Sequence, residues 1–203
     1  MRYPELATEL VGLLENDQSE KKDFARRYFN ATDKAALEPE KLQLQSNTEQ
    51  RSRRMLEILA EIGEPSLSNI GDQGAMAMSV LASHDISSAL DKVLTAFERV
   101  YARDKRDCRY QSIPAMFDAS RLAKHRPQRF GTQWFFDDTM HPFLPTVEDF
   151  EHVNERRQEY GIEPLRWPKS LAIPESEQPW LTKPITDLIM RDPTSKEYEQ
   201  NVT

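Results

Sequence analysis

His84 is the side chain here best suited to carrying a proton, because an imidazole titrates near neutral pH. It follows Val80 by four residues and Leu81 by three, so on a helix its ring lies along an apolar stripe and needs a hydrogen-bond partner. Two roles fit: a core histidine bonded to a neighbouring helix, or a candidate general base in a pocket. Asp118 and Arg121 stand three apart, a spacing that allows an ion pair on one helix. The guanidinium fork then either locks that helix to its neighbours or holds an anionic group of a ligand. Gln128, Thr132 and Gln133 surround Gly131 with neutral donors and acceptors, and a residue without a side chain lets backbone turn sharply or approach a ligand. If these residues converge with His84, they form a site for a small polar or anionic ligand. The alternative is that the amides of Gln128 and Gln133 brace the corner of a β-hairpin.

Other chemistries find little support. His84, Asp85, His125, Asp137, Asp138, His141 and His152 could supply metal ligands, but none has the four-apart helical pairing of a zinc hydrolase. The chain contains no glycine-rich nucleotide loop and no serine in a nucleophile elbow. Cys108 is the single cysteine, with Arg106 and Arg109 as its nearby cations. The expectation is a site with neither metal nor cofactor.

The elements that must position these groups read as helices. Pro4 opens a first helix with Leu6, Leu10, Leu13 and Leu14 on one face, ending near Asn16. A second over 20–30 carries Phe24 and Tyr28 and is expected to pack on the first. Over 46–62, Asn47 and Gln50 suggest a cap, Met55, Ile58, Leu59 and Ile62 form a face, and Gly63 and Pro65 end it. Further helices are expected between Gly71 and Ser83, through Leu90, Val93, Leu94, Phe97 and Val100, and from Ile113 to a stop before Arg126-Pro127. Aromatics and Thr around Gly131 predict a short β-hairpin over 129–144. A seventh helix runs from Thr146 through Val147, Phe150 and Val153 to Gly161, and one more is expected over 180–190. The fold class expected is mainly α, a compact bundle of about six to eight helices. It divides into a helical domain over 1–166 and a proline-rich extension over 167–203 that packs on it.

Composition bounds the setting. With 203 residues, 38% hydrophobic and 30% charged, one core is the default. A net charge of −7 argues against a nucleic-acid partner, which needs clustered cations, and the run Arg51-Ser52-Arg53-Arg54 reads as the wet face of a helix. One cysteine forms no internal disulfide, and the first residues lack a basic start followed by a long apolar stretch; both predict a cytoplasmic protein. No run reaches the ~18–20 apolar residues that span a bilayer, so no membrane partner is expected.

Two stretches carry a resemblance. Met55 to Ala82 with His84, and Asp118 to Gly131-Thr132-Gln133 continuing through Arg156-Arg157 to Gly161-Ile162-Glu163-Pro164-Leu165, resemble a bacterial family of unknown function. Gly63 and Pro65, His84, Asp118, Gln128 and Phe130 match its pattern over roughly residues 50–166. Ala119 stands where that family has an arginine, and Phe130 where tyrosine is common. The resemblance implies a fold and the place of a site, and no reaction.

Two functions are therefore open. One is a small-molecule site, binding or enzymatic, in which His84 handles a proton, Arg121 holds an anion, and Gln128, Thr132 and Gln133 orient a ligand. The other is a non-catalytic interaction, accessory or inhibitory module, whose acidic surface meets a basic protein partner.

Overall fold

The computed structural model describes residues 1–85, 88–136 and 142–166. Among the described residues six α-helices dominate: α1 (Pro4–Asn30), α2 (Glu38–Ile62), α3 (Leu67–His84), α4 (Ser88–Arg103), α5 (Ile113–Ala123) and α6 (Val153–Glu159). The apolar stripes of α1 to α5 meet in one core, while Val153 of α6 packs with Leu144 and Val147 in a smaller cluster. Leu10 of α1, Met55 and Ile58 of α2, Met78 of α3, Val93 and Phe97 of α4 and Met116 of α5 are all sealed from water, each burial contributing about 1.5–3 kcal/mol. Gly74 lets α1 and α3 approach closely, since a Cβ there would lie 3.1 Å from the Ala7 Cβ and 3.2 Å from its Cα. None of the helices described is long and apolar enough to cross a membrane.

The first two expected helices are one. α1 runs unbroken for 27 residues, because Asn16 to Ser19 contain no glycine or proline to stop it and Asp17 is held by tertiary partners. The chain then reverses and α2 begins at Glu38, with Pro39 and two glutamates in its first turn, the favoured chemistry for a helix start. Asn47 is thus internal to α2 rather than its cap. Cross-helix pairs of Glu9 with Arg54, Glu20 with Asn47 and Arg27 with Glu40 show that α1 and α2 run antiparallel.

Other boundaries follow local signals. Gly63 closes α2 with its N–H on the Leu59 carbonyl, 2.9 Å away, and α5 stops at Ala123, ahead of Pro127. Gly71, at φ 67°, breaks the α3 segment after its first turn. α6 begins later than expected, at Val153, because Val147 forms an extended bridge with Gln128.

A β-hairpin over 129–144 is not supported. Residues 129–134 have no strand pairing; they form a loop whose amides turn inward to Asp118 instead of along a neighbouring strand. Among the described residues, strand pairing within this stretch is limited to Phe135–Phe136 against Pro142–Phe143, and residues 137–141 between them lie outside the described residues, as does the extension over 167–203.

Candidate functional site

The residues expected to bind a ligand do converge, but on the chain's own backbone. Asp118 is completely buried on α5. Its Oδ1 accepts from the N–H groups of Arg129 (2.7 Å) and Phe130 (3.1 Å). Its Oδ2 accepts from the Thr132 N–H (3.0 Å) and hydroxyl (2.8 Å). Gln128, equally buried, donates from Nε2 to the Gln133 carbonyl and accepts at Oε1 from the Gln133 N–H, each at 2.7 Å. The Gln133 side chain donates to the Ala115 carbonyl at 3.1 Å. Gly131 sits at φ 62°, so the loop needs glycine for its conformation, and a Cβ there would push aside the tip of the Leu165 side chain, 2.8 Å away.

From the other side α6 holds the loop's carbonyls. Arg156 Nε donates to Arg129 O at 2.9 Å and Arg157 NH1 to Phe130 O at 2.8 Å. Carboxylate below and guanidinium groups above thus clamp one short segment through its backbone. Burial pushes the Asp118 carboxyl above its usual range, while the hydrogen bonds from Thr132, Arg129 and Phe130 pull it back.

Asp118 and Arg121 do not pair. Backbone amides and the Thr132 hydroxyl occupy the carboxylate, and Arg121 reaches away from it: Nε donates to the Pro127 carbonyl and NH2 meets Glu148 Oε2 at 2.5 Å. Its fork of donors serves to hold the chain after α5 in place.

His84 belongs to a second cluster, centred on Asp17. Asp17 is 1% exposed. Its Oδ2 lies 2.6 Å from His84 Nδ1 and 3.0 Å from Lys21 Nζ, and its Oδ1 lies 3.1 Å from Arg51 NH2. Arg51 NH1 also donates to Glu20 Oε2 at 2.9 Å. Burial raises the Asp17 pKa, but the bond to His84 and the charge of Lys21 outweigh it and hold the carboxyl well below its usual range. Burial lowers the Lys21 pKa, with Asp17 opposing. Asp17 Oδ1 and Arg51 Nε and NH2 are sealed from water without an aligned hydrogen bond, so the 3.1 Å contact is a charge interaction alone. The Arg51 run is therefore wet only in part: Arg51 and Ser52 are buried, whereas Arg53 is exposed and Arg54 half-buried. A carboxylate on Nδ1 fixes the imidazole's orientation.

Beyond this cluster the seam between α1 and α2 opens. Glu20, Asp23, Phe24 and Arg27 of α1 face Glu40, Gln43, Leu44 and Asn47 of α2 across a cleft of about 360 Å³. Both sets repeat at three and four residues, the spacing at which apolar side chains ordinarily fill a helical seam.

Searches against protein-family profiles, curated proteins and solved structures find no match for this chain.

Sequence reasoning missed Asp17, Arg51 and the cleft. A signal for the first two exists. Leu10, Leu14, Asp17, Lys21 and Phe24 form one face of α1, and Arg51, Met55, Ile58 and Ile62 one face of α2. Each apolar stripe runs into a charge, as the α3 stripe runs into His84, and three such interruptions meet where the helices pack. Among the described residues no group of histidine, cysteine and carboxylates is placed to hold a metal. Cys108 is buried, and burial with Asp107 nearby pushes its thiol up to about 11, away from thiolate chemistry.

Proposed function

We propose that the protein is a non-catalytic interaction module whose working surface is the open seam of the α1–α2 hairpin. The observation that carries this reading is the substitution of polar and charged groups for apolar ones at seam positions of both helices, which leaves a cleft where packing would otherwise be complete. The loop over 128–133 supports it from the other direction. Its polar groups serve their own backbone, whereas a small-molecule site needs donors aimed at a ligand. The proposal includes a cytoplasmic setting, which a single buried thiol suits. Panning a peptide-display library on the immobilised full chain tests it, with Leu44→Asp as the counter-selection. Peptides retained by wild type and released by the variant are expected; retention of the same peptides by both proteins contradicts the reading.

One observation favours a second reading, the 2.6 Å contact of Asp17 with His84 Nδ1, which orients an imidazole as a general base would be oriented. Nitrogen-15 NMR of the His84 ring against a panel of small polar and anionic compounds distinguishes it. A ring resonance that moves with one compound supports a ligand site there, and silence across the panel removes it.

A further inference from the structure

We infer that the chain carries a further docking surface, on other elements than the α1–α2 seam, where His125, Arg126 and Arg129 receive a short acidic segment of a partner protein. The turn that ends α5 is the starting point. The His125 N–H donates to the Leu122 carbonyl at 3.0 Å and the Arg126 N–H to the Arg121 carbonyl at 2.9 Å. A turn bonded in this way ordinarily places glycine at the first position, where the backbone is left-handed, and an apolar side chain at the second, packed back on the helix. Here a histidine holds φ 54° and an arginine follows it, and both are exposed. Asp149 also has a positive φ, but its carboxylate meets His152 and Arg156. The His125 ring has no such partner among the described residues, so the fold bears a strained position without a contact in return.

The charges around the turn are unevenly paired. Residues 121–129 contain four arginines and lysines and no carboxylate, in a chain of net charge −7. Arg121 is paired with Glu148 and Lys124 with Asp91, and Asp149 is held by Arg156. Arg126 and Arg129 are exposed and pair with no carboxylate among the described residues. The negative end of the α5 dipole accounts for cations in its last turn, which Arg121 and Lys124 already supply; Arg129 lies five residues beyond Lys124. Two guanidinium forks and an imidazole within five residues suit a short run of carboxylates, which arginine engages edge-on. A nucleic acid fits less well. Its binding grows with the number of phosphates neutralised, residues 121–129 offer no Phe, Tyr or Trp ring for a base to stack on, and Glu148 borders the patch through its N–H on the Gln128 carbonyl. A compact phosphate drawn against the backbone would meet the negative end of α5, whereas arginine side chains reach past it.

Fluorescence anisotropy on the full chain tests this with a labelled peptide of alternating glutamate and serine, its glutamine counterpart, and an oligouridylate of matching length. The glutamate peptide is expected to bind wild type, less tightly as salt is raised. Arg126→Glu with Arg129→Glu, both exposed changes, should weaken it about tenfold or more. His125→Gly separates binding from folding: it relieves the left-handed position, so Tm should stay level or rise while the peptide binds less tightly. Leu44→Asp should leave this binding unchanged, which keeps the outcome distinct from that at the α1–α2 seam. No binding of the glutamate peptide, equal binding of the glutamine peptide, or undiminished binding to the double variant overturns the inference. A fall in Tm for His125→Gly with binding intact assigns that residue to the fold and overturns its role. Tighter binding of the oligouridylate overturns the protein partner in favour of a nucleic acid, and displacement of the peptide by inorganic phosphate at constant ionic strength overturns it in favour of a phosphate site.

Discussion

Asp17 of α1 and His84 of α3 are separated by 67 residues, yet their Oδ2 and Nδ1 atoms lie 2.6 Å apart. The contact fastens the middle of a 27-residue helix to the end of another. Arg51 brings α2 to the same carboxylate, so three helices share one buried charge.

That sharing makes stability depend on pH in a definite direction. The Asp17 pKa is depressed in the folded chain, so between its folded and unfolded pKa values the unfolded chain binds the proton more tightly. Its stabilisation is therefore present above the ordinary aspartate pKa of ~3.9 and is lost as pH falls from there towards the folded value. Urea unfolding from pH 6 to pH 2 should show this loss, and Asp17→Asn should flatten it. A variant as acid-sensitive as wild type would mean that other carboxylates dominate.

At pH 7 the same substitution should destabilise by about 2–4 kcal/mol, since it leaves Lys21 and Arg51 half-compensated in a buried setting. A double-mutant cycle of Asp17→Asn with His84→Ala should give a coupling of about 1–2 kcal/mol. Strict additivity would show that the 2.6 Å contact contributes nothing to folding.

Removal of the Asp118 carboxylate should be as damaging. Asp118→Ala strands three backbone N–H groups, at about 1–3 kcal/mol for each one left buried. A loss of roughly 3 kcal/mol lowers Tm by about 6–12 °C in a chain of this size. Thr132→Val, which removes one hydroxyl bond, should cost about 1 kcal/mol. Melting of Asp118→Ala within a degree or two of wild type would mean that water replaces the carboxylate at the loop.

Gly74 and Ala7 test the approach of α1 to α3. A Cβ at 74 meets Ala7 backbone at 3.2 Å, so Gly74→Val should destabilise by about 1–3 kcal/mol through overpacking. Gly74→Ala should lose less, and Ala7→Gly in the same chain should recover part of that loss. Absence of any recovery in denaturant titrations would place the strain within α3 itself.

Cys108 should resist alkylation. With its thiol pushed up to about 11 and its side chain buried, iodoacetamide at pH 8 should label it only after denaturant is added, as read by mass spectrometry. Rapid labelling of the folded protein would reveal local opening between α4 and α5.

The sequence alone determined the mainly helical class and most of the core, because burial of a stripe at 3.6-residue spacing is a local requirement written into Leu10, Leu14, Met55, Ile58, Val93 and Phe97. It also located several helix ends, since Gly63 and the residues before Pro127 act on their own backbone. Tertiary structure decided the partners of the charged and polar groups. Asp118 lies three residues from Arg121, yet folding brings it to amides 11–14 residues away. A run containing Arg51 looks solvated until Asp17 is brought against it. Helical spacing states which face a side chain occupies, whereas electrostatic and hydrogen-bond partners are chosen among groups that only the packed chain makes neighbours. For the same reason α1 continues through Asn16, and its seam with α2, filled by leucines near the core, opens into a charged cleft beyond it.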